Sequence, residues 1–135
     1  MAEVVLTRDN VVQFLNRFDE IAGQEDFGLI QEMIHECAFF RLHDGDYIGR
    51  SAIREVLERS WRGSSGLKRE SYYLSDIEVL TLDDKSATAT FTYNWEGSMG
   101  KQAFSLQGRG TRVLVVVDDQ MQIIHEHLSQ FPQSK

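Results

Sequence analysis

Gly108-Arg109-Gly110-Thr111-Arg112-Val113-Leu114-Val115-Val116-Val117-Asp118-Asp119-Gln120-Met121-Gln122-Ile123-Ile124-His125-Glu126-His127-Leu128-Ser129 reads as a β-hairpin, two β-branched apolar runs on either side of a polar turn. Its odd positions (Val113, Val115, Val117, Met121, Ile123) and its even positions (Leu114, Val116, Ile124, Leu128) are both largely apolar. One face can rest on helices, and the other needs a cover, so a homodimer packed sheet to sheet is expected. A three-residue loop at Asp118-Asp119-Gln120 would set Arg112 opposite Glu126, whereas a two-residue turn at Asp119-Gln120 would set it opposite His127.

Upstream of the hairpin the period is also two. Tyr73 to Leu82 reaches a turn at Asp83-Asp84-Lys85, Ala87 to Trp95 alternates apolar with Thr and Asn, and Gly97-Ser98-Met99-Gly100 is read as the next turn. Before Arg69 the spacing is helical. Thr7 can cap a helix with Val11, Phe14, Leu15, Phe18, Ile21 and Ala22 on one side, ending near Gly23. Asp26 can cap a second, with Phe27, Ile30, Met33, Ile34 and Cys37. Ala38 to Leu42 is a short strand, His43-Asp44-Gly45-Asp46 a turn or loop, and Gly49 to Trp61 a third helix. Gly63-Ser64-Ser65-Gly66 is a loop too short to link domains. Three helices followed by a meander make an α+β plan, the helices on one face of a strongly bent, mainly antiparallel sheet.

With 135 residues the chain is read as a single domain over 1–135. Fourteen Lys plus Arg against 21 Asp plus Glu give a net charge of -7, and the basic residues form no run, so nucleic acid is not an expected partner. No apolar run reaches membrane-spanning length and Met1 to Leu6 lacks the makings of a secretion signal; neither a membrane partner nor export is expected, and the expected location is cytoplasmic. The single Cys37, among apolar neighbours, is expected to be a buried, inert thiol.

Taken in order, the chain resembles the nuclear transport factor 2-like superfamily, which includes the SnoaL-like polyketide cyclases, the ketosteroid isomerases and the association domain of calcium/calmodulin-dependent protein kinase II. The resemblance spans nearly the whole chain. It is carried by Gly49-Arg50-Ser51-Ala52-Ile53-Arg54-Glu55 opening a helix, by Thr111-Arg112-Val113, and by the ending His125-Glu126-His127-Leu128-Ser129. It implies a cystatin-like cone, a bent sheet round a long helix, with an open pocket inside and a dimer through the outer sheet face. It does not imply one chemistry, because the fold serves isomerases, dehydratases, cyclases, binders and assembly modules.

The resemblance favours the register with Arg112 opposite Glu126, since the matching arginine of the association domain points into the pocket. Arg112 is then the first candidate for a contact to a bound carboxylate, or else a purely structural partner of Glu126. Leu128 departs from the basic residue that follows the association domain's His-x-His. His125 and His127 share the other face; lacking a third ligand they are expected at a subunit interface, with no metal site. Asp44 stands where the ketosteroid isomerases hold their general base. The tyrosine on their first helix has no counterpart in Phe14 to Phe18, so steroid-type isomerisation is not expected. Trp61, Phe91 and Tyr93 are candidate pocket walls, joined by Phe39 or Phe40 and by Trp95, and Arg41 and Tyr93 offer polar ends to a ligand. Gly108-Arg109-Gly110 opens no helix, so a bulge or a close backbone approach is expected there.

These readings lead to a small-molecule-binding domain acting on a carboxylate- or carbonyl-bearing ligand, of isomerase, dehydratase or cyclase type, with Glu126 or Asp44 as acid/base and no cofactor. The alternative is a non-catalytic homo-oligomerisation module. An adaptor like nuclear transport factor 2 itself has no specific support in these residues.

Overall fold

In the computed structural model, which describes residues 4–62 and 67–131, Thr7 begins helix α1 (Arg8–Ala22). Its hydroxyl accepts from the Asn10 backbone N–H at 3.1 Å and its own N–H donates to the Asn10 side chain at 2.7 Å, so two of the helix's orphan donors are satisfied reciprocally. Val11, Phe14, Leu15 and Phe18 are buried along one side, and Gly23 ends the helix. The loop read at 63–66 lies outside the described residues.

The helix expected from Asp26 does not form. Asp26 accepts from the Gly28 N–H at 3.0 Å and caps one 3-10 turn (Phe27–Leu29), a second turn follows (Gln31–Met33), and strand β1 runs from Ile34 to Leu42. Phe27, Ile30 and Ile34 do enter the core, but Ile34, Ala38 and Phe40 are buried at even spacing, the signature of a strand. Cys37 falls on the other side of that strand and is exposed, contrary to the buried thiol expected. The turn after β1 is confined to His43–Asp44, and Gly45–Ile48 pairs back on β1 as edge strand β2, where a loop was expected. Helix α2 (Arg50–Arg62) buries Ile53 and Val56. There are thus two α-helices among the described residues, not three.

Strands β3 (Leu67–Leu82), β4 (Ser86–Met99), β5 (Gln102–Val117) and β6 (Gln120–Gln130) complete one six-stranded sheet in the order β2-β1-β6-β5-β4-β3. All pairs are antiparallel except β1 with β6. Gly97, Ser98 and Met99 continue β4; the turn is Gly100–Lys101, with Gly100 at φ 62°. Register shifts in β3, one flanking Asp76 at φ 53°, bend the sheet. Gly108 and Gly110 are not bulged. Each pairs with an aromatic residue of β4, Tyr93 and Phe91, whose rings lie where a Cβ would stand.

The closing hairpin reaches its register by another route than a three-residue loop. Asp118 and Asp119 both have positive φ (50° and 60°), a two-residue turn that pairs Val117 with Gln120 and Leu114 with Ile123. A bulge at Ile124 then shifts the register by one, so that Val113 pairs with His125 and Arg112 with Glu126. The bulge also changes what the outer face carries. Met121 and Ile123 pair with Val116 and Leu114 on the inner face, leaving Val113, Val115 and Val117 opposite His125, Gln122 and Gln120. The outer side of the hairpin is therefore less apolar than expected. No helix among the described residues is long and apolar enough to cross a membrane.

Candidate functional site

Arg112 is 1% exposed and is held from two elements. Its Nη1 and Nη2 donate to the two carboxylate oxygens of Asp19, on the last turns of α1, at 3.0 and 2.8 Å, and its Nε donates to Oε1 of Glu126 across the hairpin at 2.6 Å. The guanidinium carbon lies 5.0 Å from the Phe18 ring centroid and 4.9 Å from that of Phe91. A planar cation with its fork bidentate on one carboxylate and aromatic rings within reach is the arrangement in which arginine tolerates burial.

Asp19 and Glu126 are 8% and 5% exposed, so two carboxylates share one buried cation. Burial pushes the Glu126 carboxyl above its ordinary range, against the pull of Arg112 and with the charge of Asp19 adding to the rise. Burial also opposes the charge on Arg112, but Asp19 and then Glu126 outweigh it and hold the guanidinium well above its usual value. The phenol of Tyr72 is pushed well up, by burial first and by the charge of Asp19 next.

These three charged residues form part of the wall of a cavity of about 630 Å³ between the end of α1, α2 and the inner face of the sheet. Aromatic rings supply much of its surface: Phe18, Phe40, Trp61, Tyr72, Tyr93 and Trp95. Tyr72 and Tyr93 stack with centroids 5.8 Å apart and planes inclined by 12°. Burial raises the Tyr93 phenol as well. The volume is in the range of ordinary small-molecule sites.

Of the residues singled out in the sequence, Glu126, Arg112, Tyr93, Trp61 and Asp44 line this cavity. Asp44 does so from the exposed β1–β2 turn. Phe91 is buried against Arg112 and is not in the cavity wall. Arg41 is on the opposite face of β1, where it pairs with Asp46 at 2.9 Å and lies over Phe39. His125 and His127 are on that outer face too: His125 stacks on Phe39, its Nδ1 is 2.7 Å from the Phe39 carbonyl oxygen, and His127 is exposed. Among the described residues no group of three or more His, Cys, Asp or Glu is placed to hold a metal ion.

Asp19 and Tyr72 were missed. Asp19 carried a signal: it stands four residues after Leu15, three before Ala22 and next to Phe18, a carboxylate on the apolar side of an amphipathic helix. Tyr72 carried none, because its inward orientation follows from where the register of β3 shifts.

The sequence profile of the SnoaL-like domain family matches residues 11–134. No curated protein matches the sequence significantly. Among solved structures, a nuclear transport factor 2-like superfamily protein from Salmonella enterica serovar Typhimurium superposes with a TM-score of 0.75 at 18% identity, covering 94% of this chain and 92% of that one. A protein of unknown function with a cystatin-like fold from Nostoc punctiforme gives 0.76 at 11% identity, with 98% and 96% covered. A scytalone dehydratase candidate from Novosphingobium aromaticivorans gives 0.75 at 15%, with 90% and 82% covered. At these identities the likeness is one of fold. With the profile match over most of its length, the chain belongs to the SnoaL-like domain family, and its α+β fold around a cavity is like that of the nuclear transport factor 2-like and cystatin-like structures.

Proposed function

We propose that the cavity binds a largely apolar, carbonyl-bearing small molecule and that Glu126 transfers a proton to or from it, in a reaction of isomerase, dehydratase or cyclase type. The observation that carries this reading is the buried Asp19–Arg112–Glu126 cluster in the wall of an aromatic cavity. A carboxyl raised by burial is a stronger base when ionised and more often protonated near neutral pH than a surface glutamate, which suits it to general acid–base work. Arg112 has its fork engaged by Asp19, so its part is to hold and polarise the two carboxylates, and the expectation that it grips a carboxylate ligand gives way to a carbonyl ligand facing Glu126. Asp44, exposed on its turn, is a weaker base candidate than the buried Glu126. The dehydratase assignment of one fold relative accords with proton transfer in such a cone.

The reading is tested with β-tetralone, an apolar bicyclic ketone with acidic α-hydrogens. Glu126 would take an α-proton, leaving the enolate, and a deuteron from solvent would return to carbon. Proton NMR in deuterium oxide should show α-hydrogen exchange accelerated by the protein and slowed about a hundredfold or more in Glu126→Gln, the usual contribution of a general base. Equal rates for the two proteins would refute it.

A further inference from the structure

We infer that the ligand of this cavity carries a protonated amine, so that the site selects cationic over neutral and anionic molecules of the same shape. This deepens the small-molecule reading above and rests on it.

The first ground is the charge of the cavity's inner wall. Asp19 and Glu126 offer two carboxylates to a single guanidinium, and Arg112 spends its Nε and one N–H from each terminal nitrogen on them. Glu126 is 5% exposed, and its Oε2 takes no hydrogen bond from any described residue, while Oε1 is bound to Arg112. A second acceptor oxygen in a poorly hydrated wall is a place where an N–H donor of opposite charge gains most.

The second ground is the aromatic surface. Tyr72 and Tyr93 present stacked rings, and Trp61 and Trp95 add indoles to the same wall. Ring faces attract a cation and offer nothing comparable to a carboxylate.

The third ground is the remainder of the lining. Glu20, Asp44 and Glu70 also border the cavity and are exposed, and among the described residues of the lining the basic side chains are Arg112 and His43. Exposed carboxylates contribute little to tight binding, but they raise the local concentration of cations and repel anions on approach. Among the described residues of the lining, a ligand carboxylate would meet five carboxylates and one guanidinium already occupied. An ammonium would supply the missing positive charge.

Three probes with one ring system separate the possibilities: naphthylmethylamine, naphthylmethanol and naphthoic acid, titrated by calorimetry against the whole protein at neutral pH. The amine should bind about tenfold or more tighter than the alcohol, which is the scale of a partly desolvated cation–π and ion-pair contact, and the acid weakest. Glu126→Gln, checked for folding by its thermal melt, should bring the amine close to the alcohol. If the alcohol or the acid binds as tightly as the amine, the cation preference is wrong and the small-molecule site stands. An amine preference that survives Glu126→Gln overturns the assignment to this wall. If none of the three binds, both this inference and the small-molecule reading fall.

Discussion

A guanidinium buried to 1% exposure needs charge and hydrogen bonds from its neighbours, and Arg112 draws them from a helix and a strand distant in sequence. Removing it strands two carboxylates in a dry wall. Arg112→Ala should therefore lose about 3–5 kcal/mol of unfolding free energy in urea titrations, the cost of breaking a buried ion pair. Replacing the whole cluster, as Asp19→Leu with Arg112→Met and Glu126→Leu, should be neutral or stabilise by about 1–4 kcal/mol, because desolvating charges costs more than their attraction returns. That triple variant should also lose tetralone exchange. Such a result would show that the cluster is kept for chemistry at the expense of stability. At this scale the sequence was partly readable. The partnership of Arg112 with Glu126 followed from hairpin geometry and a family resemblance, but the bidentate partner Asp19 comes from α1, 93 positions away. No local pattern states which strand residue a helix carboxylate will meet.

The elements were read best where one period held without interruption. Arg8–Ala22 and Arg50–Arg62 are helices as their apolar spacing indicates, and β4 alternates as written. From 26 to 37 the reading failed, because Phe27, Ile30, Met33 and Ile34 satisfy helical spacing while belonging to two short turns and the start of a strand, whereas Ala38 to Leu42 is a strand as expected. Asp26 caps the first of those turns, so its capping signal was real and the length of what followed was not. In the last hairpin two differences from the expected geometry cancelled: the tighter turn at Asp118–Asp119 moved the register one way and the bulge at Ile124 moved it back. Bulges leave little trace in composition, so the inner position of Ile123 could not be foreseen. The glycines of β5 are a sharper case of sequence serving shape. A methyl group at Gly110 would collide with the Phe91 ring and with Leu128, and Phe91 in turn lies against Arg112. Gly110→Ala should cost about 1–3 kcal/mol in urea titrations, the range for overpacking a filled site. An unchanged midpoint would mean that the ring moves aside freely.

For the whole molecule, the two faces of the sheet differ in what they carry. The inner face carries the cavity; the outer face presents Val113, the stacked Phe39–His125 pair and His127, beside Thr90, Thr92 and Thr111. We propose that this outer face forms a homodimer. Sedimentation velocity across falling concentrations should show a dimer that His125→Glu, which adds a negative charge to this face, weakens about tenfold or more. A species that stays monomeric at all concentrations would leave the outer face without this role.

The most direct measurement of the cavity's chemistry is the titration of Glu126 itself, followed by carbon-13 NMR of glutamate side-chain carboxyls with Glu126→Gln identifying the signal. Burial holds its proton on in the folded state to a higher pH than in the unfolded chain. Its contribution to stability is therefore greatest below the ordinary glutamate range of about 4.3 and is lost as pH rises through the raised value. The predicted result is a glutamate signal titrating above the ordinary range and absent in Glu126→Gln, together with a fall in stability over that same interval that the variant lacks. A Glu126 signal at or below the ordinary value would contradict the assignment of this residue as the proton-transferring group.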